Sequence, residues 1–474
     1  MNSARRIYLN ACDRLFLGHY QLQARDASRG NIAFMVLDLD GDVARDTMRN
    51  ALAKAMAAHP VTIAGLRVSQ PLGQPFWKIP RSPAHPAKKA AAQVHTYDDL
   101  RNEPQWEARL TCLFHKRFVP AWDLRAGPQV RLDHYALPAE RTRLCLHWPH
   151  LLMDADGAQW FLRDMGQRTE PQHDSRSAGP GPCAKALSGR PSHSLPDDQA
   201  PRILTDRSLR DQWRLFRRGM ASQRVAAGLT IRPFVLQSPR GRTEHRLLYK
   251  HWDAEQVRRM QATAKESVPS GPALYARFLA ASVLRALHRL HEDHRVCTDA
   301  YVITLPMQVG ASQPGSNLLA RRSVEGNFLV TPTICCTPAQ VADRRVLNAA
   351  VFDQVQCYLQ QELDLAQWTM MRAASLIHAW FYPLIFKLSM GVNVLSSGFS
   401  YYHAMQQTGR SIAGATITNC WGGDPLPIPP GWNPVFSKFG DELNLAFTYP
   451  WPAISDEIAG RYVELICSEA FGTD

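Results

Sequence analysis

The sequence has little of what marks several common classes of protein. Its ten cysteines are scattered without a Cys-x-x-Cys pair, and there is no zinc-finger spacing, no RNP-like aromatic motif and no long block of lysine and arginine. These absences argue against a nucleic-acid partner and against a metal site. Scattered cysteines in apolar segments predict reduced, mostly buried thiols, as in a protein of the cytosol.

A secretory leader is another feature that we do not find. Residues 1–7 do not lead into an uninterrupted apolar stretch, because Asn10, Asp13 and Arg14 intervene. A signal peptide needs an apolar region of about 7–15 residues after its basic start. We therefore expect a cytoplasmic protein.

The sequence also has no clean membrane-spanning segment. The most apolar stretch, residues 373–395, is interrupted by His378, Pro383, Lys387 and Asn393. A spanning helix needs about 20 residues with few or no charges. Three interpretations stay open for this stretch: an internal helix pair, the lining of a ligand tunnel, or peripheral contact with a membrane surface.

What the sequence does contain is enough apolar material for a large buried core. Of its 474 residues, 45% are apolar and 20% are charged, which is typical of globular proteins. The formal net charge is +12. A basic surface suits an acidic partner, such as a carrier protein, the phosphates of coenzyme A or an anionic lipid.

Strand-like and helix-like patterns alternate at similar density in two halves of the chain. We expect a first subdomain at 1–170, a linker or loop rich in Pro, Gly and Ser at 171–202, and a second subdomain at 203–474. The predicted fold class is α/β, with two layers of roughly 200 residues each. The clearest predictions are strands at 32–39, 129–137, 143–148, 327–334, 413–419 and 442–449 and helices at 42–58, 158–165, 274–291 and 458–471.

One segment, His147-Trp-Pro-His-Leu-Leu-Met-Asp-Ala-Asp-Gly157, has residues suited to acid–base chemistry. It joins a predicted strand to a predicted helix, so that His150 can project from the sheet edge into a cleft. An imidazole accepts a proton near neutral pH. Asp154 can fix the turn, either it or Asp156 can cap the helix, and Gly157 allows close backbone approach. A plain strand-turn-helix with a surface histidine is the alternative.

This segment resembles the His-x-x-x-Asp-Gly motif of the chloramphenicol acetyltransferase-like superfamily. The superfamily includes condensation domains of nonribosomal peptide synthetases, plant HxxxD acyltransferases and bacterial wax ester synthases. Further likenesses follow in the family's order along nearly the whole chain. They are Asn10-Ala-Cys-Asp-Arg-Leu-Phe-Leu, Arg321-Arg-Ser-Val-Glu-Gly-Asn-Phe-Leu, Ala415-Thr-Ile-Thr-Asn-Cys-Trp-Gly-Gly-Asp-Pro-Leu-Pro and Phe439-Gly-Asp-Glu-Leu-Asn-Leu-Ala-Phe-Thr-Tyr.

The sequence departs from the family pattern at several points. Many relatives have two adjacent histidines, and here Pro149 replaces the first. Relatives place glycine directly after the aspartate, and here Ala155 follows, with Gly157 two positions later. No Asp-Phe-Gly-Trp-Gly element is found. These departures put the substrate class in doubt more than the base.

The resemblance implies two mixed-sheet subdomains around a central tunnel, where His150 acts as general base. The co-substrate would be an acyl thioester of coenzyme A or of an acyl or peptidyl carrier protein, and the acceptor a small molecule with a hydroxyl or an amine. Asp154 would be structural. No catalytic Ser or Cys nucleophile is required, and we find neither a Gly-x-Ser-x-Gly element nor a suitable Cys–His arrangement. No resident cofactor is expected.

Four further residues are candidates for contact with substrate. Thr418 or Asn419, or backbone N–H groups near Gly157, would stabilise an oxyanion. For Thr418 and Asn419 the alternative is a strand end with ordinary hydrogen bonds. Arg321 and Asn327 would serve packing and loop closure or touch the substrate directly.

Two other functions stay open. One is a non-catalytic relative that binds carrier proteins as a scaffold. The other is a membrane-associated lipid acyltransferase. His147, His150 and His173 do not form a convincing set of metal ligands.

Overall fold

The computed structural model describes most of the chain. The described residues are 5–25, 31–69, 73–117, 122–169, 207–222, 228–233, 244–268, 270–271, 273–313, 324–374, 376–378, 381, 384, 395–405, 411–426 and 430–472. The predicted linker, 171–202, and Arg321 lie outside them.

The helices are spread over the whole chain. Their bounds are α1 Ala11–Arg25, α2 Arg45–Ala58, α3 Ala84–Val94, α4 Trp106–Arg117, α5 Ala155–Gln167, α6 Leu209–Ser222, α7 Ala254–Ser267, α8 Leu274–Asp293, α9 Pro338–Ala342, α10 Arg344–Gln360, α11 Leu363–Ala374 and α12 Asp456–Phe471. A short 3-10 helix spans Pro60–Ile63.

The strands alternate with these helices. Their bounds are β1 Arg6–Tyr8, β2 Ile32–Asp40, β3 Gly65–Val68, β4 Pro75–Lys78, β5 His95–Asp99, β6 Arg131–Leu137, β7 Arg141–Pro149, β8 Glu244–Trp252, β9 Tyr301–Thr304, β10 Met307–Gln308, β11 Leu329–Val330, β12 Thr333–Cys336, β13 Ser400–His403, β14 Ser411–Ile412, β15 Ala415–Gly423, β16 Asn433–Phe439 and β17 Glu442–Trp451.

The larger sheet holds six described strands in the order β14-β15-β2-β7-β6-β5. Its centre is the antiparallel pair β2 and β7, which runs in register from Ile32 opposite Pro149 to Asp40 opposite Arg141. Strand β2 is buried along nearly its whole length, because its almost continuous apolar sequence is covered on both faces. The C-terminal end of β7 is therefore held in a fixed position, and the candidate site begins there.

Strand β15 joins the two halves of the chain. Although it lies some 380 residues after β2 in the sequence, it pairs antiparallel with β2, from Thr416 opposite Asp40 to Gly423 opposite Phe34. A register shift between Ile417 and Asn419 interrupts this ladder. The sheet of the first half is thus completed by two strands from the second, β15 and the short β14 that pairs with it.

The second sheet has the order β13-β16-β17-β8. Each sheet has an apolar core of its own. One core packs the larger sheet against α2, α3 and α5, and the other packs the second sheet against α7, α8 and α12. Helix α8 lies at the centre of the second core, since most of its side chains are buried. The predicted α/β class with two mixed-sheet subdomains is confirmed.

Several predicted elements differ in their bounds from the observed ones. Helix α5 begins three residues before the predicted start at Ala158, because Asp154 caps it. The single strand expected at 327–334 is two short strands, β11 and β12, since Pro332 lies between them and has no N–H to donate. The predicted subdomain bounds stay a prediction.

The prediction that the cysteines are mostly buried was only partly right. Of the nine that the structure describes, four are buried and two half-buried, while Cys112, Cys297 and Cys357 are exposed, and none forms a disulfide with another of the nine. Cys112 and Cys357 lie on the exposed sides of helices α4 and α10, and Cys297 lies in the loop after α8. An apolar neighbourhood in the sequence does not imply burial at such positions.

The stretch 373–395 lies largely outside the described residues. Those described include Leu376, Phe381 and Leu384, whose side chains are exposed. Among the described helices of the chain, none is both long and apolar enough to cross a membrane. Peripheral membrane contact stays a prediction.

Buried histidines are a further property of both cores. Burial lowers the pKa of His245 in β8 and of His95 in β5 to about 4 in each case, from the ordinary value of 6.5. Burial, with a contribution from His95, lowers the pKa of His134 in β6 to about 3. These rings stay neutral in the folded protein at pH values where an unfolded chain would bind protons.

We expect the free energy of unfolding to decrease as the pH falls below about 6.5, since the unfolded state then binds protons that the folded state refuses until about pH 4. Each such histidine should lower it by about 2 kcal/mol at pH 5 relative to neutral pH. His245 has no hydrogen-bond partner among the described residues. His245→Leu should therefore flatten the pH dependence of urea denaturation by about that amount.

The matched control is His85→Leu, which changes an exposed histidine of α3. An exposed side chain contacts solvent in both states, so the control should leave the pH dependence as it is in the unaltered protein. An equally steep pH dependence in His245→Leu would contradict the argument.

Candidate functional site

The candidate base stands on a tight turn at the end of β7. The His150 N–H donates to the Asn31 carbonyl at 2.9 Å, and the Leu152 N–H donates to the Pro149 carbonyl at 2.8 Å. The indole N–H of Trp148 donates to the Met153 carbonyl at 2.9 Å and closes the turn from below. The backbone around His150 is therefore held by its own neighbours.

The imidazole of His150 meets a residue from the other half of the chain. Its Nδ1 lies 3.1 Å from Oδ1 of Asn327, and Nδ2 of Asn327 donates to the His150 carbonyl at 2.9 Å. Phe16 stacks on the imidazole with ring centroids 4.1 Å apart and planes 9° apart. The ring thus has a fixed position and a fixed tilt.

Asn327 is in turn oriented by Asp13 in α1. Oδ1 of Asp13 accepts from the Asn327 backbone N–H at 2.7 Å and from Asn327 Nδ2 at 2.9 Å. Asn10 completes the cluster, because its side chain donates to the Asn327 carbonyl at 2.9 Å and its backbone N–H donates to Asp13 Oδ2 at 3.0 Å. All three side chains are buried.

These bonds determine which nitrogen of His150 carries the proton. An ionised carboxylate only accepts, so the amide NH2 of Asn327 must face Asp13 and its oxygen must face the imidazole. Nδ1 of His150 is then the donor in the bond to Asn327, and the lone pair of the neutral ring is on Nε2. Nε2 has no partner among the described residues, and His150 lines a cavity.

His19, one turn after Phe16 in α1, is a second imidazole nearby. Its ring lies edge-on to Phe16, with centroids 5.8 Å apart. Burial, with a smaller contribution from His150, lowers the pKa of His19 to about 3. His19 is therefore neutral at physiological pH and adds no positive charge beside the candidate base.

Asp154 is a helix cap and a link between the halves. Its Oδ1 accepts from the Gly157 N–H at 2.9 Å as the N-cap of α5, and its Oδ2 accepts from the Phe328 N–H at 3.3 Å. Both oxygens are thus directed at backbone amides rather than at the imidazole. This geometry fits the structural role that the sequence predicted.

Gly157 lies where two backbones come close. A Cβ atom there would be 2.4 Å from the Val324 carbonyl oxygen, so a larger residue would force the chain apart. The next residues run beside the turn, since Met153 forms a bridge with Gly326 and the Gly326 N–H donates to the Leu152 carbonyl at 2.8 Å. The turn of residues 150–154, called the HxxxD turn from here on, and the turn at Gly326-Asn327 are therefore bonded to each other and form one unit.

A cavity of about 410 Å³ opens beside His150. This volume is within the usual range for small-molecule sites. The first half contributes residues of β2, the HxxxD turn and the start of α5. The second half contributes residues of β10, β11 and β13 and the end of β15, including Tyr402, Gly423 and Asp424. A reactant could thus reach His150 between the two subdomains.

The other predicted substrate residues are placed elsewhere. Thr418 donates to the Asp38 carbonyl at 3.1 Å, and Asn419 exchanges hydrogen bonds with Asn444 and donates to the Tyr249 hydroxyl. Among the described lining residues of the cavity, neither appears. Asn419 precedes Gly423 by four residues of strand, or about 13 Å. Ordinary strand bonding, the alternative to an oxyanion role, accounts for both.

Asn327 is brought to His150, but as a partner of the imidazole. It is fully buried and is therefore not placed for direct contact with a substrate. The prediction for Arg321 falls outside the described residues. Gly157 reaches the cavity through its backbone, while its N–H is already used by the cap on Asp154.

A Cys–His–Asp arrangement in the first sheet was not predicted from the sequence. His147 Nε2 lies 3.2 Å from Cys145 Sγ and 3.0 Å from Asp133 Oδ2. The signal was available, because Cys145 and His147 share one face of a strand. Both neighbours meet the same ring nitrogen, all three residues are buried, and burial raises the pKa of the Cys145 thiol. The group therefore lacks the geometry and the access of a nucleophile.

Among the described residues, no group of three or more His, Cys, Asp or Glu side chains is arranged to hold a metal ion. The histidines of this region are instead engaged with Asn327, Asp133 and aromatic rings.

No protein-family model matches the chain, and no curated protein matches it. Solved structures do. The first condensation domain of the CDA synthetase is 14% identical, with a TM-score of 0.65, over 99% of this chain and 96% of that one. The trichothecene 15-O-acetyltransferase TRI3 from Fusarium sporotrichioides is 13% identical, with a TM-score of 0.68, over 98% of this chain and 94% of that one.

A variant of the starter condensation domain of rhizomide synthetase RzmA, in complex with C8-CoA, is 13% identical, with a TM-score of 0.60, over 99% of this chain and 95% of that one. The chain has the condensation-type fold. The resemblance to the chloramphenicol acetyltransferase-like superfamily is thus confirmed in the architecture. In this condensation-type fold, the HxxxD turn lies at the contact between the two subdomains, beside the cavity.

We expect Asp154→Ala to destabilise the protein by about 2 kcal/mol, because it removes a helix cap and leaves the Phe328 N–H without its acceptor. Asp154→Asn should cost clearly less, since asparagine is nearly as good an N-cap. Urea denaturation of both variants measures the difference.

Asp253→Ala is the matched control. It removes the N-cap of α7. The Asp253 side chain accepts from the Gln256 N–H in the first turn of that helix, so its loss should lower the free energy of unfolding by about 1 kcal/mol. Equal losses for Asp154→Ala, Asp154→Asn and Asp253→Ala would contradict a linking role for Asp154.

Proposed function

We propose that this chain is an acyltransferase. It would transfer an acyl group from the thioester of coenzyme A or of a carrier protein to a hydroxyl or amine of a small-molecule acceptor, with His150 as general base. The fold that it shares with condensation domains and with an O-acetyltransferase supports acyl transfer in general. The assignment of the base to His150 depends on the geometry of the site.

The carrying observation is the directed hydrogen-bond chain from Asp13 through Asn327 to His150. It keeps the proton on Nδ1 and the lone pair on Nε2. A general base needs a free lone pair within reach of the proton that it accepts. Stacking on Phe16 fixes the ring without using either nitrogen. No such bonding would be needed for a histidine that only fills space.

In the proposed reaction, Nε2 of His150 removes the proton of the acceptor as its oxygen or nitrogen attacks the thioester carbonyl carbon. A tetrahedral oxyanion forms. The carbon–sulfur bond then breaks, the carbonyl is restored, and the imidazolium returns its proton to the departing thiolate. The ester or amide and a free thiol are the products. His150 ends the cycle neutral, so no covalent intermediate on the protein is needed.

The positive end of α5 supports the oxyanion. Ala155, Asp156 and Gly157, the first residues of this helix, all line the cavity. The N-terminus of a helix favours negative charge within its first turn. Thr418 and Asn419 are not favoured for this role, because their side chains bond to Asp38, Tyr249 and Asn444.

Positive charge beside the cavity suits a phosphate-bearing donor. Arg163 in α5 lines the cavity, and its guanidinium stacks on Trp160 at 4.9 Å from the ring centroid. Coenzyme A and the phosphopantetheine arm of a carrier protein both carry phosphate. A formal net charge of +12 favours an acidic partner of either kind. The RzmA neighbour in complex with C8-CoA makes octanoyl-CoA a suitable first donor.

The test is thiol release from a panel of acyl-CoA and acyl-carrier donors, including octanoyl-CoA, in the presence of primary alcohols and amines. We expect the unaltered protein to release thiol in an acceptor-dependent manner. His150→Ala should lower kcat by about 10²- to 10⁴-fold, since it removes the base while leaving the cavity open.

His85→Ala is the control, because it removes an exposed imidazole of α3 that is not among the residues lining the cavity. It should release thiol at the rate of the unaltered protein, and all three proteins should melt at similar temperatures. Unchanged turnover in His150→Ala would refute the proposed base. Carrier binding without any turnover in the unaltered protein would favour the scaffold function instead.

A further inference from the structure

Asp424 is a carboxylate in the cavity that the HxxxD chemistry does not use. It directly follows β15, whose last residue, Gly423, pairs with Phe34 in β2. Asp424 lines the same cavity as His150 and is only partly exposed. An acidic group therefore lines the same space in which a reactant would meet the base.

The backbone of Asp424 is fixed by the second sheet. Its carbonyl accepts from the Asn433 side chain at 3.1 Å and from the Thr448 hydroxyl at 2.9 Å. Its Oδ1 accepts from Asn433 Nδ2 at 3.0 Å. One carboxylate oxygen is thus held in place by β16, while the other has no hydrogen-bond partner among the described residues.

The remaining carboxylates of the cavity are used differently. Asp154 directs both oxygens at backbone amides. Asp156 is exposed at the entrance and accepts from Gln308 at 2.6 Å. Among the described residues, no arginine or lysine forms an ion pair with Asp424. Withdrawing a carboxylate from water even in part costs free energy when no counter-ion is present, and a ligand can supply the missing positive charge.

The surroundings of Asp424 also suit a cation. Phe34 and Tyr402 line the cavity beside it, and aromatic faces attract ammonium groups. Burial raises the pKa of Asp424, although His150 and the bond from Asn433 oppose this. A bound ammonium group would stabilise the ionised carboxylate and relieve the cost of its burial.

We infer that Asp424 selects an acceptor that carries an ammonium group, separate from the hydroxyl or amine that attacks the thioester. The inference rests on the proposed acyl transfer at His150, because the attacking group must lie at that imidazole while the ammonium group lies at Asp424. The acceptor class is therefore an amino alcohol or a diamine. The attacking group itself is not the one that Asp424 binds, since a carboxylate would keep it protonated and unreactive.

The first arm of the test measures turnover. With octanoyl-CoA as donor, thiol release is followed with ω-amino alcohols of three to eight carbons and with n-alkanols of the same lengths. The unaltered protein should prefer the amino alcohol at its best length by about 10- to 100-fold in kcat/KM, as for a hydrogen bond to a charged group. Asp424→Asn should abolish this preference, because it should lower kcat/KM far more for the amino alcohol than for the alkanol of the same length.

Asp424→Asn keeps the shape of the side chain and an oxygen that can accept from Asn433. Asp441→Asn is the control, since it removes the same charge from a surface turn, where Asp441 is 87% exposed. It should keep the preference. An equal preference in the unaltered protein and in Asp424→Asn would overturn the inference. So would a loss in Asp424→Asn that is the same for both kinds of acceptor, because Asp424 would then act on His150 alone.

The second arm is independent of catalysis. Calorimetric titration with α,ω-diaminoalkanes should give binding to the unaltered protein and to Asp441→Asn, and about 10- to 100-fold weaker binding to Asp424→Asn. If no donor is turned over but this difference is found, the proposed function fails and the ammonium site stands. If donors are turned over but the three proteins bind diamines equally, the ammonium site fails.

Discussion

The candidate site depends on one chain of hydrogen bonds, from the Asp13 carboxylate through the Asn327 amide to Nδ1 of His150. It is directional, because a carboxylate can only accept and an amide must then turn its oxygen to the ring. It is also the link between the two halves, since Asp13 is in α1 and Asn327 lies 314 residues later. The same contacts therefore join the two halves of the chain and determine which nitrogen of the neutral imidazole carries the proton.

Much of the fold could be predicted because its signals are local. Strand β2 and helix α12 follow from apolar runs and periodicity, and the turn with His150 follows from its motif. Elements with weak local patterns were not singled out, such as the short helix α3 and the edge strand β5. Strand β15 was found, but its partner β2 was not, because pairing across the length of the chain leaves no trace in either segment alone.

The site was predictable in its residues more than in their roles. Asn327 was expected to support the loop or touch substrate, and only the fold brings Asp13 to it. Thr418 was judged by its place in a motif, whereas the direction of a side chain depends on strand register, which the shift between Ile417 and Asn419 alters. Asp424 is five residues after Asn419 and was not among the predicted site residues, because the role of a carboxylate can be inferred only when its neighbours in the fold are known.

The pairing of β15 with β2 in the first sheet has a consequence for folding during synthesis of the chain. Until residue 423 has left the ribosome, one edge of β2 has no partner, and an unpaired apolar strand invites association with other chains. Closing contacts across some 380 residues is also slow compared with local pairing. The edge of β2 therefore stays unpaired until β15, a strand made near the end of synthesis, is available. The need for a chaperone is greatest before translation is complete.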